Sequence, residues 1–150
     1  MYSQSIVSPA GTLTIKATDE AVTSVRFEEI ANPKPNQITQ RACQQLIEYF
    51  EGRRTSFQLP LSYEGTEFQK RVWQELQKIP AGQTKSYREI ANKIGKPKAA
   101  RAVGGAVGSN PIAIIIPCHR VLASNGAITG YTGGDGIKTK QKLLDIESLG

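Results

Sequence analysis

Along the first thirty residues apolar and polar side chains alternate in short runs (SIVS, LTIKAT, VTSVRFE), broken by Pro9-Ala10-Gly11 and by Asp19-Glu20. Neighbouring side chains of a strand point to opposite faces, so this period of two predicts a β-meander. After the Pro- and Asn-rich stretch ANPKPN comes ITQRACQQLIEYFEG, in which Ala42, Leu46, Ile47 and Phe50 recur at helical spacing and Gly52 supplies a stop. Cys43, in or beside that stripe, reads as a small buried apolar residue. Residues 1–55 are therefore expected to form a small α+β domain, with 56–63 as a linker and 64–150 as a second domain.

The second part is punctuated by helix starts. Thr66-Glu67-Phe68-Gln69 has the pattern of a capping box and opens a helix with Phe68, Val72, Trp73, Leu76 and Ile79 on one face, ended by Pro80-Ala81-Gly82. Ser86-Tyr87-Arg88-Glu89 repeats the pattern and starts a short helix that stops at Gly95. Pro97 is expected in the first turn of a third helix, KAARAVGGAVG. Two short helices joined by a tight glycine-containing turn predict a helix-turn-helix. The β-branched run IAIII between two prolines predicts a buried strand ending at Cys118, and Asn125-Gly126 predicts a type I′ hairpin placed as a wing. The final segment, IKTKQKLLDIE, offers Ile137, Leu143, Leu144 and Ile146 for a packed helix face. The fold class expected is α+β: an N-terminal β-meander-plus-helix domain, then a winged helix-turn-helix-like domain.

Charge sharpens this division. The chain carries 19 basic and 13 acidic side chains, and the net charge of +6 is confined to residues 61–150, because residues 1–60 balance six against six. Excess positive charge in a helix-turn-helix half fits a polyanion partner, although charge alone does not identify one. Two cysteines are too few for a disulfide framework and give no metal-ligand spacing, which points to a reducing compartment. The start, MYSQSIVSPAG, lacks a basic stretch followed by an apolar one, and PIAIIIP is far shorter than the roughly 20 residues that span a bilayer. A cytoplasmic protein without membrane contact is expected.

The third helix is short of bulk. Ala99, Ala100, Ala102, Gly104, Gly105, Ala106 and Gly108 leave a backbone that something can approach closely, at a cost in helix propensity. Close packing against a neighbouring helix is one explanation. A surface that enters a nucleic-acid groove, with Arg101 protruding and Lys93, Lys96 and Lys98 near phosphates, is the other. Cys118-His119 is the only Cys-His pair and His119 the only histidine. Neighbours on an extended chain face opposite ways, so direct contact between them needs a turn or a bridging water. Gly130-Tyr131-Thr132-Gly133-Gly134 reads as a loop whose amides can approach a ligand.

Three segments, GTEFQKRVWQELQKIPAGQTKSYREIA, RAVGGAVGSNPIAIIIPCHRV and GYTGG…LLDIE, are similar to the O6-alkylguanine-DNA alkyltransferase family, the methylated-DNA–protein-cysteine methyltransferases. The resemblance covers roughly residues 64–147, with a looser fit before them, and NP…PCHRV is its most specific part. It implies DNA repair by single, irreversible transfer of an alkyl group from O6 of guanine, or from O4 of thymine, to Cys118. Displacement at an alkyl carbon needs a soft anionic nucleophile, and an ordinary thiol with pKa about 8.5 is mostly protonated at neutral pH.

By resemblance, His119 takes the thiol proton through a water, Glu147 orients the imidazole, and Tyr87 gives a proton to the departing purine. Asn110 holds the active-site turn. The backbone around Cys118 and Val121 reads the guanine amino group, and Tyr131 and Thr132 cover the base. Arg101 fills the gap left by a flipped nucleotide, with Ala100, Ala102, Gly104, Gly105 and Lys98 forming the surface that meets the minor groove of double-stranded DNA. No cofactor is implied, and a monomer is expected. Some relatives bind a structural zinc through N-terminal cysteines and histidines; with only Cys43 there, no metal is expected. The segment Gly134-Asp135-Gly136-Ile137 is longer than in some relatives, which leaves loop contacts open.

Three other classes share parts of this pattern. A damage sensor of the same fold would lack Cys118, a transcription-regulating fusion would need an added metal-binding module, and a cysteine hydrolase would need an oxyanion hole.

Overall fold

The computed structural model describes residues 1–131 and 133–148. Strands β1 (Tyr2–Ser8), β2 (Gly11–Ala17) and β3 (Val22–Arg26) form an antiparallel sheet in the order β1-β2-β3. Alternation puts Leu13 and Ile15 of β2 on a buried face, and a register shift in β3, where Ala17 pairs with Val22 and Lys16 with Ser24, lets Val22 and Val25 share it, each fully buried aliphatic side chain contributing roughly 1.5–3 kcal/mol. Helix α1 (Gln37–Phe50) packs against all three strands. Its start is a capping box in which Asn36 accepts from the Thr39 amide and the Thr39 side chain accepts from the Asn36 amide.

The buried stripe of α1 runs through Thr39, Ala42, Cys43, Leu46 and Tyr49. It is rotated from the predicted stripe: Ile47 is 38% exposed, while Tyr49 is buried. The sheet lies on the side of Cys43, so the polar ends of Thr39 and Tyr49 turn inward with the aliphatic residues.

Both edges of the sheet are engaged, β1 by backbone pairing of Ser3 with Lys34 and β3 by two later segments. Residues 60–62 run beside β3 through bonds between Val22 and the backbone of Pro60 and Ser62. Farther along, the Val25 amide donates to the Pro111 carbonyl and the Ala113 amide to the Val25 carbonyl. Backbone pairing thus joins the sheet to the segment that precedes Cys118, and the buried apolar residues of both halves form one cluster.

Helices α2 (Glu67–Leu76), α3 (Tyr87–Lys93) and α4 (Ala100–Gly108) follow. Capping boxes at Thr66/Gln69 and Ser86/Glu89 start the first two. The turn between α3 and α4 passes through Gly95 at φ +76°, a conformation that favours glycine. Trp73 of α2 donates its indole N–H to the Ala106 carbonyl at 2.8 Å and ties α2 to α4. Helix α4 begins three residues beyond Pro97, which instead sits in a turn closed by the Ala99 amide on the Lys96 carbonyl.

Two predicted β-features take other forms. The IAIII run is a sequence of tight turns, with only isolated bridges from Ile112 to Val25 and from Ala113 to Ile116. Asn125 does not adopt positive φ, so no type I′ turn forms; Gly126 alone is left-handed, in a loop closed by the Ala123 amide on the Ala127 carbonyl. Two short strands, β4 (Lys85–Ser86) and β5 (Val121–Leu122), pair in parallel and link the start of α3 to the residues after Cys118. Helix α5 (Ile137–Ser148) buries Thr139, Lys140, Leu143 and Glu147 and leaves Ile137 52% exposed, so its inner face is largely polar. The whole is an α+β fold with an N-terminal sheet-and-helix half and a C-terminal helix-turn-helix half.

Candidate active site

Cys118 is delivered by a strained turn. Ile114, fully buried, has φ +71°, the only non-glycine residue in the left-handed region among those described. For a β-branched residue this costs of order 1–3 kcal/mol and persists only where the surroundings impose it. Asn110 is one such restraint: its Oδ1 accepts from the Ile112 amide at 2.9 Å and its Nδ2 donates to the Ile116 carbonyl at 2.7 Å, so one side chain spans the turn. The chain then enters a 3₁₀ turn, Cys118–Arg120. That turn removes the extended geometry that would hold Cys118 and His119 on opposite faces.

Behind the turn lies a buried polar cluster centred on Glu147 of α5. His119 Nε2 is 2.5 Å from Glu147 Oε2, Arg120 donates from Nε to Oε1 at 2.8 Å and from Nη2 to Oε2 at 2.9 Å, and the Tyr49 hydroxyl donates to Oε2 at 2.6 Å. Arg120 Nη1 is also held, by the Ile79 carbonyl at 2.6 Å. Burial alone would raise the Glu147 pKa, but the hydrogen bonds from His119, Arg120 and Tyr49 hold it at about 2. An ionised carboxylate only accepts, so Nε2 of His119 carries the shared proton. In the neutral imidazole Nδ1 is then the basic nitrogen, and it has no hydrogen-bond partner among the described residues.

Burial also sets the resting protonation of the pair in front. It pushes the Cys118 thiol up, against the lowering effects of Asn110, Lys140 and the local amides. It pulls the His119 pKa down, against the raising effect of Glu147. The resting state at neutral pH is a thiol beside a neutral imidazole, so a free thiolate is not stored. It has to be generated by proton transfer.

Cys118, 8% exposed, lies on a cavity of about 360 Å³ together with Asn110 and Tyr131. That volume is within the range of roughly 300–1,000 Å³ typical of small-molecule sites. Val107, Ser109, Gly130 and Gly133 complete part of its wall, and Val25–Glu28 at the end of β3 close another part. His119, Val121 and Glu147 stand behind the cavity rather than on it. Tyr87 is at its side, its hydroxyl 3.4 Å from the Thr129 carbonyl. The buried Tyr131 ring meets Phe27 edge-on at 6.4 Å between centroids. Thr132 lies outside the described residues.

The small residues of α4 form a separate surface. Arg101, Ala102, Gly105 and Lys98 are exposed, while Ala100 and Gly104 are half-buried. A Cβ built on Gly105 or Gly108 meets nothing within 4 Å, and one on Gly104 only the Tyr87 ring at 3.9 Å. Internal packing therefore does not require glycine at 105 or 108.

Sequence reasoning does not single out Tyr49, Arg120, Lys140 or the Arg26-Phe27-Glu28 wall. Lys140 Nζ, buried on α5, donates to the carbonyls of Val121 at 2.5 Å and Thr129 at 2.7 Å. The one available clue is periodic: Tyr49 falls three residues after Leu46 and seven after Ala42. Among the described residues no group of three or more His, Cys, Asp or Glu side chains is placed to hold a metal ion, and no helix is long and apolar enough to cross a membrane.

Comparison with known proteins gives this geometry a family. Residues 1–63 match the ribonuclease-like domain of 6-O-methylguanine DNA methyltransferase, and residues 67–149 match the DNA binding domain of the same family. A methylated-DNA–protein-cysteine methyltransferase of Mycolicibacterium paratuberculosis is 46% identical, over 96% of this chain and 90% of the relative. One of Methanosarcina acetivorans is 44% identical, over 98% of each. Among solved structures, Mycobacterium tuberculosis OGT in complex with DNA superposes with a TM-score of 0.91 at 45% identity, covering 99% of this chain and 94% of that one. The chain belongs to the 6-O-methylguanine DNA methyltransferase family.

Proposed function

We propose that the protein repairs DNA by moving the alkyl group of O6-alkylguanine in a duplex onto Cys118, once per molecule. The observation that carries this reading is the arrangement at Cys118: a thiol on a cavity, with a neutral imidazole behind it whose outer nitrogen is bonded to a fully ionised carboxylate. The Cys118 proton passes through a water to His119 Nδ1, and Glu147 stabilises the imidazolium without taking the proton. The thiolate attacks the alkyl carbon, the S–C bond forms as the C–O6 bond breaks, and Tyr87 supplies a proton so that guanine leaves neutral. The product is a thioether, which nothing in the site reverses.

Asn110 holds the turn that aims Cys118, the backbone around Cys118 and Val121 reads the guanine amino group, and Tyr131 and Thr132 cover the base. O6 faces the major groove in a stacked pair, so the base has to flip out, for a few kcal/mol of unstacking. Helix α4 enters the minor groove, Arg101 fills the vacated place, and Ala100, Ala102, Gly104, Gly105 and Lys98 lie against the backbone. The open space around Gly105 and Gly108 supports this role, because internal packing does not account for their small size. In this reading residues 64–150 carry the chemistry and DNA contacts, 1–55 form the supporting domain and 56–63 connect them. The protein works as a monomer in the cytoplasm, where thiols stay reduced.

Mass spectrometry after incubation with a duplex containing O6-methylguanine tests this. One methyl per chain, located on Cys118 and abolished in Cys118→Ser, is expected. Binding without an adduct would make the protein a damage sensor, and repeated turnover would make it a hydrolase.

A further inference from the structure

We infer that Tyr49, carried by α1, is a positioning residue for this reaction: its hydroxyl donates to the Glu147 oxygen that also accepts from His119, and so limits the basicity the carboxylate lends to the imidazole. The inference rests on the alkyl-transfer reading above.

The geometry at Glu147 is crowded in one place. Oε1 accepts from Arg120 Nε alone, whereas Oε2 accepts from His119 Nε2, Arg120 Nη2 and Tyr49. Each donor draws electron density from Oε2 and leaves less of it to stabilise a positive charge on the imidazole. Arg120 already fixes the carboxylate plane through both oxygens, so Tyr49 is not needed to orient it. The distinct effect of the tyrosine is electrostatic. By tempering Oε2 it keeps His119 neutral to lower pH, and a neutral imidazole is the form able to accept the Cys118 proton. Tyr49 itself keeps its proton, since burial and then the Glu147 charge push its phenol far above the ordinary range. The proton that moves in the reaction goes only from Cys118 Sγ to His119 Nδ1.

The other charged or titratable groups around Tyr49 and the His119–Glu147 pair are Arg120 and Cys118 from the 3₁₀ turn, Arg54, which shares a small crevice with Tyr49 and Glu147, Tyr131, and Lys140 on α5. None is altered by Tyr49→Phe, which also keeps the ring that packs on Phe50 and Phe57. Tyr49 lies in the ribonuclease-like domain match and Glu147 in the DNA binding domain match, 98 residues apart. The inference thus gives the N-terminal half a part in the chemistry.

His119 is the only histidine, so its imidazole resonances in an untagged protein report one titration, read by NMR without any need for activity. In Tyr49→Phe the His119 pKa is expected to rise by about one unit, the size of one lost hydrogen bond to a charged group. The acid limb of the single-turnover methyl-transfer rate should move up with it. In a Glu147→Gln background the same substitution should move neither. An unchanged or lowered His119 pKa in Tyr49→Phe overturns the inference, as does an equal shift in the Glu147→Gln background or an unmoved acid limb. If the wild type forms no Cys118 adduct, the alkyl-transfer reading fails instead, and the NMR titration separates that result from this one.

Discussion

Lys140 and Val121 are joined by a buried hydrogen bond of 2.5 Å from the ammonium to the carbonyl, and the same ammonium holds the Thr129 carbonyl at 2.7 Å. One cation therefore pins the backbone after Cys118 to the loop that contacts Tyr87, and its charge favours ionisation of the Cys118 thiol. Replacing Lys140 with Met leaves both carbonyls unpaired and removes that charge. With about 1–3 kcal/mol at stake, the methyl-transfer rate should fall roughly 10- to 100-fold while duplex affinity stays within twofold. Single-turnover kinetics and fluorescence anisotropy measure the two; equal losses in both would contradict a role confined to the cavity.

The Glu147 cluster makes stability depend on acid in a definite direction. A carboxyl held at about 2, against an ordinary value of 4.5, binds its proton more readily when unfolded. Its stabilisation is complete above pH 4.5 and is lost as pH falls toward 2, on the order of 3 kcal/mol in all. His119, lowered by burial from 6.5, acts in the same direction, so the decline begins below that value. Arg120→Met removes one partner of a buried pair and should destabilise the protein at neutral pH by about 3–5 kcal/mol, with a shallower loss in acid. Urea melts at stepped pH would reveal both; a protein equally stable at pH 7 and pH 4 would refute the assignment.

Helix α4 separates fold from function at one residue. Gly105→Ala adds a methyl into open space and relieves helix entropy, for a gain of up to about 1 kcal/mol in thermal melts. Gly105→Leu should weaken duplex binding at least about tenfold. Arg101→Ala should slow repair of duplex DNA far more than reaction with free O6-benzylguanine, which needs no flipping. Equal losses on both substrates would remove Arg101 from that role.

Phe27 sets the room at the cavity mouth. A Cβ at Gly133 would come within 2.8 Å of the Phe27 ring and 3.2 Å of Tyr131, so the loop and the end of β3 are already in contact. Phe27→Ala should raise the rate on O6-benzylguanine relative to O6-methylguanine in duplex DNA, measured side by side. An unchanged ratio would mean that the wall formed by β3 does not limit alkyl size.

The helices were legible because their signals are local. Thr66/Gln69 and Ser86/Glu89 close capping boxes within one turn, and the strand alternation needs only a few residues. The segment before Cys118 misled for the same reason: IAIII has the composition of a strand, but its shape follows from the Asn110 amide and from pairing with Val25, 87 residues earlier than Ile112. On α5 the buried face is Thr139, Lys140, Leu143 and Glu147, whereas apolar spacing points to Ile137, which is exposed. The Cys118-His119 pair stands out in the sequence and takes its role, with Glu147, from family resemblance, whereas Tyr49, Arg120 and Lys140 take their meaning from partners distant in sequence. A polar side chain inside a core is justified only by what it touches.

The buried, protonated state of Cys118 bears on how long an unused molecule lasts. Peroxide and small electrophiles consume thiolates, and a protein that reacts once has no means of recovering from a wasted encounter. Iodoacetamide should label Cys118 much more slowly in the folded protein than in urea. On the proposed chemistry, withholding the anion until a lesion fills the cavity lets such a reagent of the cell wait, undamaged, for the one target on which it is meant to be spent.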